Sequence, residues 1–236
     1  MPIDDELLER SLQGLRERAA RVALTDALEL CVHNAVRLFG VTGAGIMLLD
    51  DSSVLRAAAA TDAPGRALEE LQADAGEGPC VDALLHDEIV VVEDLAGEER
   101  WPRLRPKIPA AGVRAVLGAP VHIAGGAVGS LNIYRDAPHA WNGDEAEALA
   151  AYADVVGNLL TGALLSSQHS EVVDQLRRAL DSRVTIERAV GLIMGRDGVD
   201  AVAAFNRLRR AARETRCAVA EVAAELLRDA TVAGAR

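Results

Sequence analysis

From Asp4 to Phe39 apolar residues recur at helical steps: Leu7, Leu8, Leu12 and Leu15, then Leu24, Leu28, Cys31, Val32, Ala35 and Leu38. Gly40 is placed to stop that run. The period then changes. Residues 44–50 and 54–61 read as strands joined at Asp51-Ser52-Ser53, a hairpin candidate. Leu68 and Leu71 predict a short helix, and 89–92 a further strand. Residues 116–123 and 128–134 flank Gly125-Gly126, a turn free to adopt positive φ, and so predict a second hairpin. Pro102, Pro106 and Pro109 mark an irregular stretch able to cover a pocket.

From Asn142 the pattern is helical again, with Asn142-Gly-Asp-Glu145 supplying a cap and first-turn acids. Leu149, Val156, Leu160 and Ala163 form one apolar row, and Tyr152, Val155 and Leu159 a second, continued by Val173, Leu176 and Leu180. One row can pack on a sheet while the other meets a partner helix, the geometry of a dimerising coiled coil. Ser166-Ser-Gln-His-Ser170 interrupts both rows, either as a loop between helices or as a polar layer within one. Three short helices follow: one ending near Met194, one from about Asp200 to Thr215, one from about Val219 to Asp229. Ala204, Phe205, Leu208 and Ala212, then Val219, Val222, Ala223 and Leu226, give the last two a buried stripe each, while Arg209, Arg213 and Arg216 share another face.

The chain's 236 residues, half of them apolar and a quarter charged, suit one large or two small globular domains and exclude a disordered or fibrous chain. No unbroken apolar stretch nears the ~18 residues of a membrane span, and the start lacks a basic segment followed by an apolar one, so a soluble cytoplasmic protein is expected. Cys31, Cys80 and Cys217 form no Cys-x-x-Cys, and the five histidines show no metal spacing. Neither a disulfide framework nor a metal centre is indicated.

The net charge of −11 is unevenly spread. Residues 1–165 carry −13 and the remainder +2, with ten Arg against five acids between Arg177 and Arg216. An acidic body with a basic end fits an anion-binding partner such as nucleic acid. Because 24 of the 25 basic residues are Arg, each single Arg carries little information. No catalytic constellation emerges: Asp50/Asp51 and Asp87/Glu88 read as turn and surface residues. Gly40-x-x-Gly43-x-Gly45 has the wrong order for a dinucleotide fingerprint. A non-enzyme is expected.

Ser182-Arg183-Val-Thr-Ile186-Glu-Arg-Ala189-Val-Gly191-Leu-Ile-Met194, followed by Ala204-Phe205-Asn-Arg-Leu208-Arg209-Arg-Ala-Ala212 and Val222-Ala223, resembles the ANTAR domain, a three-helix RNA-binding antiterminator module. The helix–hairpin–hairpin–helix region before it, with Gly76-Glu-Gly-Pro-Cys80 and Trp101-Pro102, resembles the GAF domains found ahead of ANTAR domains. It lacks the Asn-Lys-Phe-Asp-Glu signature of cyclic-nucleotide GAF domains.

The resemblance implies an α+β chain: an N-terminal helix at 1–19, a GAF sensor with an antiparallel sheet and flanking helices at 20–165, a connecting helix or linker at 166–176, and a three-helix ANTAR domain at 177–230. It implies a homodimer that binds paired RNA hairpins in nascent transcripts under control of a small-molecule ligand in the GAF pocket, whose identity the sequence leaves unknown. RNA contacts are expected at Arg183, Arg188, Ala189, Gly191, Arg209 and Arg213, since RNA recognition calls for phosphate and stacking contacts from Arg and small residues for close approach. Many members carry Lys in the Ala-x-Gly step where this chain has Val190. Met194 is expected in the core. Cys80 is a pocket or redox candidate, since a helix start would lower its pKa; the alternative is a buried small hydrophobe. Trp101 is a pocket lid or a loop anchor. Two other readings fit the same pattern: a DNA-binding helix-turn-helix regulator and a ligand-sensing protein-interaction module.

Overall fold

In the computed structural model, which describes residues 3–50, 54–166 and 171–234 apart from the side chains of 109, 110 and 231–234, the first helical run is two helices. They are α1 (Asp5–Ala19) and α2 (Leu24–Phe39). Asp4 caps α1 by accepting from the Glu6 amide, and Gly40 ends α2 in the left-handed region at φ 56°.

Five strands follow, interleaved with helices: β1 (Gly43–Leu49), β2 (Leu55–Ala60), α3 (Ala63–Ala75), α4 (Pro79–His86), β3 (Val90–Val92), β4 (Ala115–Ile123) and β5 (Gly126–Arg135). Short 3-10 segments at Leu95–Gly97 and Arg105–Ala111 fill the proline-rich stretch. The sheet order is β2-β1-β5-β4-β3, with β5 antiparallel to both β1 and β4 and β3 antiparallel to β4. The turn between β4 and β5 is Ala124-Gly125, at φ 51° and 78°, one residue before the pair expected. A two-residue hairpin loop needs positive φ at both positions to follow the strand twist, and Gly126 is already paired with Ile123.

Strand alternation separates two faces. Ala44, Ile46, Leu117, Leu131 and Ile133 make one face apolar and buried. Against it lies α5 (Gly143–Leu165), which packs on β4 and on α1 and α2. A capping box starts α5: Asn142 accepts from the Glu145 amide while the Glu145 carboxylate accepts from the Asn142 amide. The second apolar row of α5 is largely used within this unit, with Leu159 half-buried. Tyr152 and Val155 are buried, with the Tyr152 ring edge-on to Phe39 at 6.1 Å and its hydroxyl bonded to Ser11 of α1. α5 is long and apolar enough to span a membrane, yet half of its apolar window is buried inside the protein.

Ser166 leaves the helix in an extended conformation, and the rest of the polar interruption, 167–170, lies outside the described residues. α6 (Glu171–Asp197) is longer than expected: it runs past Met194 and Gly195, with Gly198 following at φ 64°. α7 (Ala201–Thr215) is capped by Asp200, which accepts from the Ala203 amide, and packs against α8 (Val219–Gly234). The chain is thus α+β and divides into two compact units, one reaching to Val173 without residues 49–54, the other comprising 49–54 and Asp174 onward.

Gly157 lets α5 approach β4: a Cβ there would overlap the His122 carbonyl. Gly157→Ala should therefore cost about 1–3 kcal/mol of stability, as overpacking against rigid backbone does. Chemical denaturation of the two proteins measures it, and an unchanged midpoint would contradict the close approach.

Candidate nucleic-acid interface and ligand site

The second unit sorts its helical positions by exposure. On α6, Leu176, Ala179, Ile186, Ala189 and Ile193 are buried, while Val184, Glu187, Arg188, Gly191, Met194 and Gly195 are exposed. These exposed residues follow three- and four-residue steps, so they share one face. Arg183 flanks it, half-buried and paired with Glu187 at 2.5 Å. Two expectations are corrected. Met194, expected in the core, is 38% exposed. Ala189, a candidate RNA contact, is fully buried and packs within the helical core, where no ligand atom can reach it.

On α7 the supposed arginine face splits. Arg209 is only 6% exposed and lies inward, which removes it from any direct contact, whereas Arg213 and Arg216 are exposed. Its neighbours explain why: Leu208 and Ala212, one and three residues away, belong to the buried stripe. Asp197, at the end of α6, pairs with Arg196 at 2.7 Å and also with Arg207 of α7. The Arg196 hydrogen bond holds the Asp197 carboxyl below the ordinary carboxylate range. Arg188, Arg210 and Arg213 are exposed and have no ion pair among the described residues, leaving their guanidinium groups available to phosphate. A Cβ at Gly191 or Gly195 would meet nothing within 4 Å among the described residues beyond its own stretch of helix.

In the first unit, the sheet face toward α3 and α4 is of mixed character. At one end Val90, Val92, Val116, Leu95, Leu104 and Trp101 form an apolar cluster. Trp101 is buried there as a loop anchor: its indole donates to Asp82 Oδ2 at 2.9 Å, and Arg100 stacks 4.5 Å over its ring. Burial raises the Asp82 carboxyl.

Further along the same face Ser130 and Asn132 of β5 are buried between glycines, Gly45 of β1 and Gly118 of β4 both lying opposite Asn132. Asn132 donates to Ser130 Oγ at 3.1 Å. Above them Gln72 of α3 clamps Cys80, donating to its Sγ at 3.0 Å and accepting from its amide at 2.8 Å. Cys80 does sit at a helix start, behind Pro79, but burial pushes the thiol up, and the nearby Glu69 charge adds to the rise, so it lacks the lowered pKa expected there.

Glu69, one turn before Gln72, is 3% exposed, and neither of its carboxylate oxygens has a hydrogen-bond partner among the described residues. The same is true of Asn132 Oδ1. Burial pushes the Glu69 carboxyl well above its ordinary value, with Glu70 and Asp62 adding to the shift and Arg66 opposing it. Glu69 also lines a cleft of about 320 Å³ between β1, β2 and α3. Sequence reasoning missed this polar group. Its one visible signal is the alternation of Ser130, Asn132 and Tyr134 in a strand whose other face is apolar. No cluster of three or more metal-ligating side chains occurs among the described residues.

Residues 23–160 match the family model of the GAF domain, and residues 174–227 match that of the ANTAR domain. No curated protein matches the chain in sequence. Among solved structures it is similar to the GAF domain of an Acinetobacter phosphoenolpyruvate-protein phosphotransferase, at 19% identity over 68% of this chain and 96% of that one, TM-score 0.55. It is similar to the phycocyanobilin-bound GAF domain of a cyanobacterial phytochrome, at 16% identity over 69% and 98%, TM-score 0.55. Free methionine-R-sulfoxide reductase from Neisseria meningitidis, solved with its substrate, matches at 18% identity over 67% and 90%, TM-score 0.53. At such identities these structures establish the fold alone.

Burial predicts a graded thiol chemistry. Cys217 is exposed, whereas Cys31, pushed up to about 12 by burial, and Cys80 are enclosed. Iodoacetamide should label Cys217 in the native protein and reach the other two only on unfolding, as read by peptide mass spectrometry. Native labelling of Cys80 at the rate of Cys217 would contradict the enclosure.

Proposed function

The chain belongs to the GAF domain family and carries an ANTAR domain behind it, and from that premise we propose a transcription antitermination regulator that binds paired RNA hairpins under control of its sensor. Both domains are regulatory in kind, so the chain is a regulator with a sensor domain. The finer reading rests on the exposed face of α6.

The single observation that carries it is Gly191. A glycine inside a helix costs about 1 kcal/mol relative to Ala, and among the described residues beyond its own stretch of helix nothing lies within 4 Å of where a Cβ there would stand. Internal packing gives it no purpose. The side-chain-free positions Gly191 and Gly195, with exposed Arg188 one turn before Gly191, suit close approach of a splayed base or sugar-phosphate backbone, with the guanidinium on phosphate or stacked on a base. Arg213 is likewise exposed, on α7. Ala189 and Arg209 are buried.

We place the sensor at 20–165 and the RNA-binding head at 177–230, and take the working form to be a cytoplasmic homodimer, which supplies two heads for two hairpins. A ligand can control the heads only through different affinity for two arrangements of the chain.

Binding of the full chain to paired-hairpin RNA and to matched duplex DNA across a salt series, with mass monitored throughout, tests the proposal. A hairpin preference by a dimer is expected, whereas a duplex preference would replace it with the helix-turn-helix reading. Gly191→Ala should leave stability equal or higher, by up to about 1 kcal/mol, while weakening hairpin binding about tenfold. Arg183→Ala should weaken it to a similar degree without unfolding the protein. Unchanged affinity in both folded variants would overturn the assignment of this face.

A further inference from the structure

We propose that the cleft between β1, β2 and α3 leads to a site for a small organic cation, an alkylammonium whose head is received by the Glu69 carboxylate. The proposal rests on reading the first unit as a sensor, and it specifies the chemical class of the signal.

The orphaned atoms define that class. Buried polar groups are almost always hydrogen-bonded, and a buried carboxylate without a partner is among the costliest groups a core can hold. Both oxygens of Glu69 and Oδ1 of Asn132 lack partners among the described residues, and all three are acceptors on the same layer. An occupant must therefore donate. The layer is also shaped around them. A Cβ at Gly45 would overlap Glu69 Oε1, and one at Gly118 would lie 2.8 Å from Asn132 Oδ1. The strands thus omit side chains beneath the two acceptors.

The approach carries the matching charge. Glu70 and Asp74 stand exposed in the cleft and Glu69 lines it from within, against Arg56 as the one base. Met47, Leu55 and Ala57 supply an apolar wall. An N–H-rich cation with a short aliphatic stem meets both requirements: its ammonium faces carboxylate, its stem faces the wall. Burial raises the empty Glu69 carboxyl, with Arg66 opposing and Glu70, Asp62 and the neighbouring Cys80 in its surroundings. A cation restores the ionised form, so its binding releases a proton.

The test uses the full chain and n-butylammonium chloride, with butanol, sodium butyrate and sodium chloride at matched concentration as controls. Thermal melting should show a saturable rise in Tm for the ammonium alone, with a binding heat that varies with the buffer's ionisation enthalpy. Glu69→Gln, equal in shape but uncharged, should abolish the rise. The exposed pair Glu70→Gln and Asp74→Asn, which cannot disturb the core, should weaken it and reduce its salt dependence.

An equal response to butanol, or an undiminished one in Glu69→Gln, would overturn the proposal. Hairpin-RNA binding measured on the same preparation separates the two readings. Normal hairpin binding without any ammonium response overturns the ligand class and leaves the RNA reading intact. A Glu69-dependent ammonium response without hairpin binding supports the site and removes the RNA reading alone.

Discussion

Strand β5 is buried on both sides, and its two sides make opposite demands. Leu131 and Ile133 face helices, where close packing alone stabilises them; Ser130, Asn132 and Tyr134 alternate with them and carry polar groups into a layer closed by α3 and α4. A register slip of one residue would exchange the two sets and bury the hydroxyls and amide against α5. The alternation therefore fixes how β1 and β4 pair with β5, and through them where every flanking helix sits. The left-handed Ala124-Gly125 turn and the bulge at Val121/His122 adjust the β4 side of that register.

Local chemistry reaches the polar layer only in part. Gln72 satisfies Cys80 twice, Asn132 donates to Ser130, and Tyr134 donates to Asp62. Each is a buried group made neutral or paired. The Glu69 carboxylate is left without such a partner, on a helix whose other buried residues are Gly65, Leu68, Gln72, Ala73 and Ala75. In a layer otherwise largely paired, the Glu69 carboxylate and Asn132 Oδ1 stand without hydrogen-bond partners among the described residues, and the glycines facing them leave that space unfilled. The GAF domain supplies the architecture around it.

Much of the fold was legible because it is written in short-range chemistry. Gly40 stops α2, Asn142 opens α5 with a full capping box, and the β4–β5 hairpin lies where the period changes, while the expected turn at Asp51-Ser52-Ser53 lies outside the described residues. The ANTAR motif was legible for a different reason, since its residues are contiguous along α6 and α7. What stayed hidden is whatever depends on which way a helix is turned. Arg188 and Ala189 are neighbours in sequence, yet one is exposed and the other enclosed; Arg209 and Arg210 divide in the same manner. Helical spacing tells which residues share a face but not which face the core takes, and a run rich in Ala and Arg offers little contrast to decide it. The polar layer was hidden for a third reason. Glu69, Gly45 and Asn132 come from three elements far apart in sequence, and only sheet register brings them together.

The two candidate sites answer to the same physical test, that a residue costly to keep must be offset by something outside the chain. Among the described residues, Gly191 gives up helix stability with no contact to show for it, and Glu69 gives up solvation with no hydrogen-bond partner. The costs differ in kind. That of glycine is conformational and constant, so a partner that needs close approach gains from it whenever it binds. That of the carboxylate is electrostatic and conditional: it vanishes on protonation and is reversed by a cation, so it can report the presence of a ligand. A sensor needs the second kind of cost and a binding head the first. Their separation into the GAF and ANTAR units is the arrangement in which a signal could alter RNA binding without sharing its surface.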